Sequence, residues 1–184
     1  MRLLTLPFFC LLLLLSSACG DDEAMEPMPP EDNTQVPVTT VKFILSGGTQ
    51  GSTTYTYFEP PSPEPGVELP PEVDDIVLDA NTTYTYRTIV ENTSGTGGTQ
   101  TQTEKIEDDG EDYLFVFDVL AASLSVIPND MDINGDPIGL QGTFETGPAS
   151  SGVLMFKILF ETNKSAPGAN GDRVIGGSFN VEIQ

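Results

Sequence analysis

A short acidic stretch in the second half of the chain is the segment best suited to chemistry. Asp130, Asp132 and Asn134 place oxygen-bearing side chains at alternate positions, and Gly135 follows with the freedom to turn sharply. This order matches the first half of a calcium-binding loop, because calcium takes carboxylate and carbonyl oxygens as ligands. Asp136 adds another carboxylate. We therefore predict a tentative calcium site formed by Asp130, Asp132, Asn134 and Asp136.

The same stretch has a second interpretation that needs no metal. Gln141 stands where an EF-hand loop would carry its bidentate Glu, and no helical pattern flanks the loop, which excludes an EF-hand. Asn-Gly and Asp-Pro are also favoured in hairpin turns for backbone reasons alone. A plain turn between two strands is therefore the alternative to a calcium loop.

A second acidic cluster lies between residues 104 and 112. It could gather cations or face a cationic partner, and the alternative is a solvated turn in an acidic chain. The cluster consists of Glu104, Glu107, Asp108, Asp109, Glu111 and Asp112.

Two tyrosine pairs alternate with threonine in strand-like segments. Tyr55 and Tyr57 share one face of their segment, and so do Tyr84 and Tyr86. Such pairs could form a platform on which a sugar stacks. Aromatic residues and threonine are also the ordinary content of strands, so packing in the core is the alternative.

The residue types that are missing exclude several classes of function. The chain has no His, which removes Ser-His and Cys-His nucleophilic sites and imidazole metal sites. No pair of carboxylates stands out as a hydrolytic pair among the 28 Asp and Glu residues. We therefore predict that the protein is not an enzyme and has no catalytic residues. The formal charge of -21 excludes nucleic acid as a partner.

The N-terminal segment predicts export and lipidation. Met1-Arg2 is a basic start, and residues 3–15 form an apolar run too short for the ~20 residues that span a bilayer. Small residues at positions 16–18 precede Cys19, which is the layout of a lipoprotein cleavage site. We expect Cys19 to become the lipidated, palmitate-carrying first residue after residues 1–18 are removed, and to attach the protein to a membrane.

The residues that follow Cys19 bear on the destination. Asp21, Asp22 and Glu23 resemble the acidic export tag that sends Bacteroidota lipoproteins to the cell surface. The expected location is the outer membrane, with the protein exposed at the cell surface; the periplasmic face is the alternative. The start of an acidic linker is the other interpretation of these three acids.

Composition divides the rest of the chain into a tether and one domain. Residues 19–37 are acidic and rich in proline, a composition that cannot bury a core. Residues 38–184 alternate apolar and polar positions between turn signals and show no sustained helical period. We predict an all-β domain over 38–184, an antiparallel β-sandwich of about 8–10 strands, immunoglobulin-like or related. Residues 101–106 are expected to form an edge strand.

The chain resembles a family of short Bacteroidota surface lipoproteins often labelled "type 1 periplasmic binding fold superfamily protein". The resemblance spans nearly the whole chain after residue 18. It is carried by residues 19–23 and 77–84, by Asn134-Gly135-Asp136-Pro137-Ile138-Gly139-Leu140, and by residues 147–154 and 179–183. These motifs are structural, and the resemblance implies a surface lipoprotein and no catalytic residue.

Together these features predict a lipid-anchored surface module that binds and does not catalyse. One function is the capture of a ligand or cation for an uptake system, with an outer-membrane transporter or an extracellular ligand as partner. The alternative is a structural or adhesive surface lipoprotein without a small-molecule ligand. No cofactor is expected other than the tentative calcium.

Overall fold

The fold is a two-layer antiparallel β-sandwich, which confirms the predicted class. The computed structural model describes residues 35–62, 64, 67–94, 97–164 and 170–184. These residues form eleven strands and one short helix. In chain order they are β1 (Thr40–Gly47), β2 (Gly51–Phe58), β3 (Glu72–Val73), β4 (Ile76–Leu78), β5 (Thr83–Asn92), β6 (Gln100–Thr101), α1 (Thr103–Asp108), β7 (Leu114–Leu120), β8 (Leu124–Pro128), β9 (Gln141–Thr146), β10 (Ser150–Phe160) and β11 (Asp172–Ile183).

The two layers differ in size and in how the chain enters them. The seven-stranded sheet has the order β3-β2-β1-β5-β9-β8, with β6 paired to β5, and the four-stranded sheet has the order β4-β11-β10-β7. All pairings are antiparallel except that of β4 with β11. The chain crosses between the sheets several times, and β7 and β8, joined by one of these crossings, are each an edge strand of their sheet.

Aromatic rings fill the space between the sheets. Phe43 is fully buried and its ring contacts five other rings at centroid distances of 5.5–6.4 Å. The contacting rings belong to Tyr86, Phe117, Phe144, Phe156 and Phe179. Each fully buried aromatic side chain contributes about 2–3 kcal/mol to folding. The apolar residues that alternate along the strands therefore face the inside of the sandwich, as predicted.

Two segments differ from the predictions. Residues 103–108 form helix α1 and not an edge strand. A single helical turn buries Ile106 while the polar residues around it remain at the surface, whereas a strand would have buried half of them. Val36 was expected in the tether, yet it is buried and its N–H donates to the Tyr113 hydroxyl at 3.1 Å.

Candidate functional site

The predicted calcium residues lie in a hairpin loop, residues 129–140, that joins β8 to β9. We call it the tip loop. Met131 and Pro137 form an isolated antiparallel bridge at its neck. Beyond the bridge, the Asp132 N–H donates to the Asp136 carbonyl at 2.8 Å, and Gly135 makes the turn with a φ of +85°. This left-handed conformation is one that glycine adopts without strain.

The Asp130 carboxylate is bonded to the base of the tip loop. One of its oxygens accepts from the Gly139 N–H at 2.9 Å, and the other accepts from the Leu140 N–H at 2.7 Å. Hydrogen bonds to an ionised acceptor are among the stronger ones in proteins. Asp130 therefore closes the base of the loop.

The Asp132 carboxylate braces the turn itself. Its Oδ1 accepts from the N–H groups of Asn134 and Asp136, both at 2.9 Å, which is the Asx-turn arrangement. Its Oδ2 lies 2.8 Å from the Lys164 Nζ. Asn134 and Asp136 contribute their main-chain N–H groups to this arrangement.

Lys164 occupies the position beside Asp132 that a cation would take. Its ammonium also donates to the Gly110 carbonyl at 2.6 Å. The Lys164 and Asp132 side chains are only 4% and 1% exposed. Burial alone would raise the pKa of Asp132, but the hydrogen bonds from Lys164 and the two main-chain N–H groups hold that pKa below its usual value.

These contacts favour the turn interpretation over the calcium one. The carboxylate oxygens of Asp130 and Asp132 that a calcium ion would need are already hydrogen-bonded within the protein. Across the described residues, no group of three or more His, Cys, Asp or Glu side chains is placed to hold a metal ion. In the structure, the Asp130 and Asp132 carboxylates, predicted as calcium ligands, accept hydrogen bonds that stabilise the loop.

The tip loop presents apolar side chains to solvent. Ile133 is 89% exposed and Met131 is 57% exposed. Isoleucine is among the residues most often buried in proteins. The loop that carries this exposed pair has its backbone fixed by N–H groups that donate to the Asp130 and Asp132 carboxylates, so the exposure follows from the fold.

The second acidic cluster lies on α1 and the turn that follows it. Lys105 and Asp109 form an exposed ion pair at 3.2 Å within this segment. Asp112 is partly buried, and that burial, with repulsion from Glu111 and Asp109, raises its pKa despite the nearby Lys164. The cluster is otherwise solvated, as the alternative interpretation states.

The tyrosine pairs do not form a sugar platform. Tyr55, Tyr57, Tyr84 and Tyr86 are all buried in the core. Their hydroxyl groups are bonded inside the protein: that of Tyr55 donates to the Val77 carbonyl at 2.8 Å, and that of Tyr86 donates to the Gly139 carbonyl at 3.2 Å. The core alternative is therefore the correct one, and the stacking hypothesis is wrong.

A shallow hollow lies on the outer face of the four-stranded sheet. It encloses about 520 Å³, and Val116 and Met155 supply apolar lining beside Gly176 and Ser178. Lys157 stands at this hollow with no ion-pair or hydrogen-bond partner among the described residues. Sequence alternation places these residues on the outer face, but it does not indicate a hollow.

Sequence reasoning missed Lys164 as part of the tip loop. Thirty-two positions separate it from Asp132, and nothing in the local pattern of residues 161–164 distinguishes this lysine from a surface one. The predicted lipidation residue Cys19 and the export-tag residues Asp21, Asp22 and Glu23 lie outside the described residues. The described part of the chain contains no helix with the length and apolar character that a bilayer crossing requires.

Comparison of the chain with models of known protein families, with curated proteins and with solved structures finds no match.

Proposed function

We propose that the protein is a lipid-anchored cell-surface module that binds a protein partner through the tip loop. The observation that carries this proposal is the exposure of Ile133 on a loop held rigid by Asp130, Asp132 and Lys164. The proposal corresponds to the adhesive or structural class of surface lipoprotein, with a defined contact residue.

The energetics of association support this use of the tip loop. Burying an isoleucine side chain in a partner contributes about 1.5–3 kcal/mol. A loop that is already ordered loses little conformational freedom when it binds, so more of that free energy appears as affinity. Interfaces depend on a few such well-packed anchors surrounded by residues that exclude water. Ile133 is suited to be the anchor and Met131 to be its neighbour.

The proposed location rests on the N-terminal sequence. Cys19 carries the lipid, and Asp21, Asp22 and Glu23 direct the protein to the outer face of the outer membrane. The acidic, proline-rich tether then separates the domain from the lipid surface. The strongly acidic chain, with a formal charge of -21 over all 184 residues, favours solubility at the surface and cationic partners.

The anchor is tested by metabolic labelling with a palmitate analogue in cells that express the full chain. We expect label in the wild type and none in Cys19→Ala. Protease added to intact cells should degrade the wild-type domain, which would place it outside the outer membrane. Label on Cys19→Ala would disprove the anchor, and full protection in intact cells would place the domain on the periplasmic face.

The tip loop is tested by photo-crosslinking on intact cells. A photoreactive amino acid at Asn134 should give a discrete crosslinked protein that disappears when Ile133→Ser is added. The control position is Thr54, which is exposed on the outer face of the seven-stranded sheet. Equal crosslinking from both positions, or no effect of Ile133→Ser, would refute the tip loop as the contact.

The hollow on the four-stranded sheet favours a second candidate function, which is capture of a small ligand for uptake. Two cationic side chains, Lys157 and Arg173, and one carboxylate, Asp118, line this hollow beside its apolar residues, so the balance of charge favours a ligand with an anionic group. The test is a thermal melt of the full chain in detergent with a set of short-chain fatty acids. A midpoint that rises in the wild type and not in Lys157→Gln would support capture; no rise in either would exclude this ligand class.

A further inference from the structure

A sandwich has four strand edges that can pair with another chain, and this one protects three of them. Unpaired N–H and C=O groups on an edge strand are a template for strand addition, so proteins shorten or block their edges. The edge strands are β3 and β8 in the seven-stranded sheet, and β4 and β7 in the four-stranded sheet.

The three protected edges are protected in different ways. Strand β3 has only two residues and directly follows Pro70-Pro71. Strand β4 has three residues, and the carbonyl of its Val77 accepts from the Tyr55 hydroxyl at 2.8 Å. Strand β8 has five residues, and Pro128 removes one of the three N–H groups, those of residues 124, 126 and 128, that its open edge would otherwise present.

Strand β7 is the exception. It is seven residues long, and only its first part is covered, because the Phe115 N–H donates to the Ile138 carbonyl at 2.8 Å. That bond points away from β10, which pairs with the other side of β7. Alternate residues of a strand direct their backbone groups to the same side. Phe117 and Val119 therefore direct their N–H and C=O groups to the open edge, where no described residue pairs with them.

The side chain between these two residues indicates which partner is suited to the edge. Asp118 is exposed on the outer face of the sheet. A second copy of this chain is disfavoured, because the antiparallel register that pairs Phe117 with Val119 of the copy places the two Asp118 side chains opposite each other. Like charges directly opposite in a sheet are destabilising, and each copy also carries a charge of -21.

We propose that the open edge of β7, at Phe117–Val119, binds an extended segment of a partner protein that places a lysine or arginine opposite Asp118. The added strand lies in line with residue 138, which already occupies the neighbouring position on the same edge. Main-chain hydrogen bonds give the affinity of such strand addition, and the basic residue gives the selectivity. The proposal rests on the proposed function only in taking the partner to be a protein.

The test uses the full chain in detergent and a short fluorescent peptide that alternates lysine and valine. Binding is followed by anisotropy. Two variants isolate the backbone contribution: Val119→Pro removes the edge N–H, and Val119→Ala shortens the side chain but keeps that N–H. We expect Val119→Pro to weaken binding about tenfold, the loss of roughly one hydrogen bond, and Val119→Ala to change it by about twofold or less.

A lysine-proline peptide of the same charge is the control for general attraction between a basic peptide and an acidic protein. Because proline has no N–H, this peptide cannot pair as a strand, and it should bind at least about tenfold more weakly. Equal binding of the two peptides, or of the proline and alanine variants, would overturn the proposal.

A second variant keeps the proposal falsifiable if Val119→Pro does not fold. Asp118→Lys changes an exposed side chain and places a like charge opposite the peptide's lysine, so it should weaken binding of the lysine-valine peptide about tenfold. Glu182→Lys makes the same charge change at an exposed residue of β11 and should weaken binding by about twofold or less. Equal effects of the two variants would overturn the proposal. Ile133→Ser should leave peptide binding unchanged, which separates this edge from the tip loop and from the anchor.

Discussion

The Lys164 ammonium lies 2.8 Å from the Asp132 carboxylate, and the two side chains are almost completely buried although neighbouring residues of the tip loop, Met131 and Ile133, are exposed. The pair joins the tip loop to the segment that follows β10, and the bond from Lys164 to Gly110 adds the turn after α1. Three segments that are distant in sequence are thus held together by one ammonium group.

Replacing Lys164 should therefore lower the free energy of unfolding. Lys164→Met leaves the Asp132 carboxylate buried without its cation, and we expect a loss of about 3 kcal/mol in the free energy of unfolding. Urea denaturation measures it. Lys157→Met is the matched control, since it removes the same charge from a lysine without an ion pair, and should change stability by less than about 0.5 kcal/mol. Equal effects of both variants would contradict the role of the pair.

Calcium should not stabilise the protein. The thermal midpoint of the full chain is expected to be the same with EDTA and with millimolar calcium. Asp130→Ala should lower stability by about 2 kcal/mol in both conditions, because the N–H groups of Gly139 and Leu140 lose their acceptor. Asn134→Ala, the control, should have little effect. A calcium-dependent rise that Asn134→Ala abolishes would restore the calcium site.

The tyrosines should ionise only when the protein unfolds. Burial raises the pKa of each of the five, and for Tyr57, whose hydroxyl also donates to Glu59, it raises the pKa to about 12. An unfolded tyrosine loses its proton near 10.0, so stability is lost as the pH rises above that value. Tyrosinate absorbance should rise in one step with the loss of circular dichroism. Gradual ionisation near pH 10 in the folded state would disprove this.

Asp112→Asn should stabilise the protein at neutral pH. The raised pKa of Asp112 means that the folded state holds the proton more tightly than the unfolded chain, so stability falls as the pH rises above 3.8. The variant removes this penalty, and we expect a gain of about 0.5 kcal/mol at pH 7 that vanishes below about pH 4. Chemical denaturation at both pH values measures it. Glu182→Gln, on the exposed face of β11, is the control, and an equal gain there would indicate a general charge effect.

Gly177→Ala should disturb the core. A Cβ atom at Gly177 would lie 2.1 Å from the Tyr57 ring, which packs directly over this glycine. We expect a loss of about 3 kcal/mol, measured by urea denaturation. At Gly97 the nearest atom is the end of the Gln100 side chain, so Gly97→Ala should cost less than about 0.5 kcal/mol. A tolerated Gly177→Ala would show that the Tyr57 ring can move.

The local amino-acid pattern was sufficient to predict the sandwich but not the contacts within the tip loop. The alternation predicted within residues 38–184 is present in β10 and β11, where the structure buries the apolar residues at alternate positions of 154–160 and 179–183. Helix α1 was missed because six residues are too few to establish a helical period. The order Asp-x-Asp-x-Asn-Gly has the same form whether the carboxylates hold a metal or main-chain N–H groups. The contacts that favour the turn are those of Asp132 with Lys164 and of Asp130 with the Gly139 and Leu140 N–H groups, and the spacing of the acidic residues encodes none of them.

The position of β11 has a consequence for how the protein is made. This strand is synthesised after every other strand of the sandwich, yet it lies between β4 and β10 inside its sheet. Until residues 172–183 are in place, β4 has no partner strand, and only the β7–β10 pair can cover the larger sheet. The four-stranded layer is therefore closed by insertion of its last strand between two earlier ones, and not by addition of that strand at an edge.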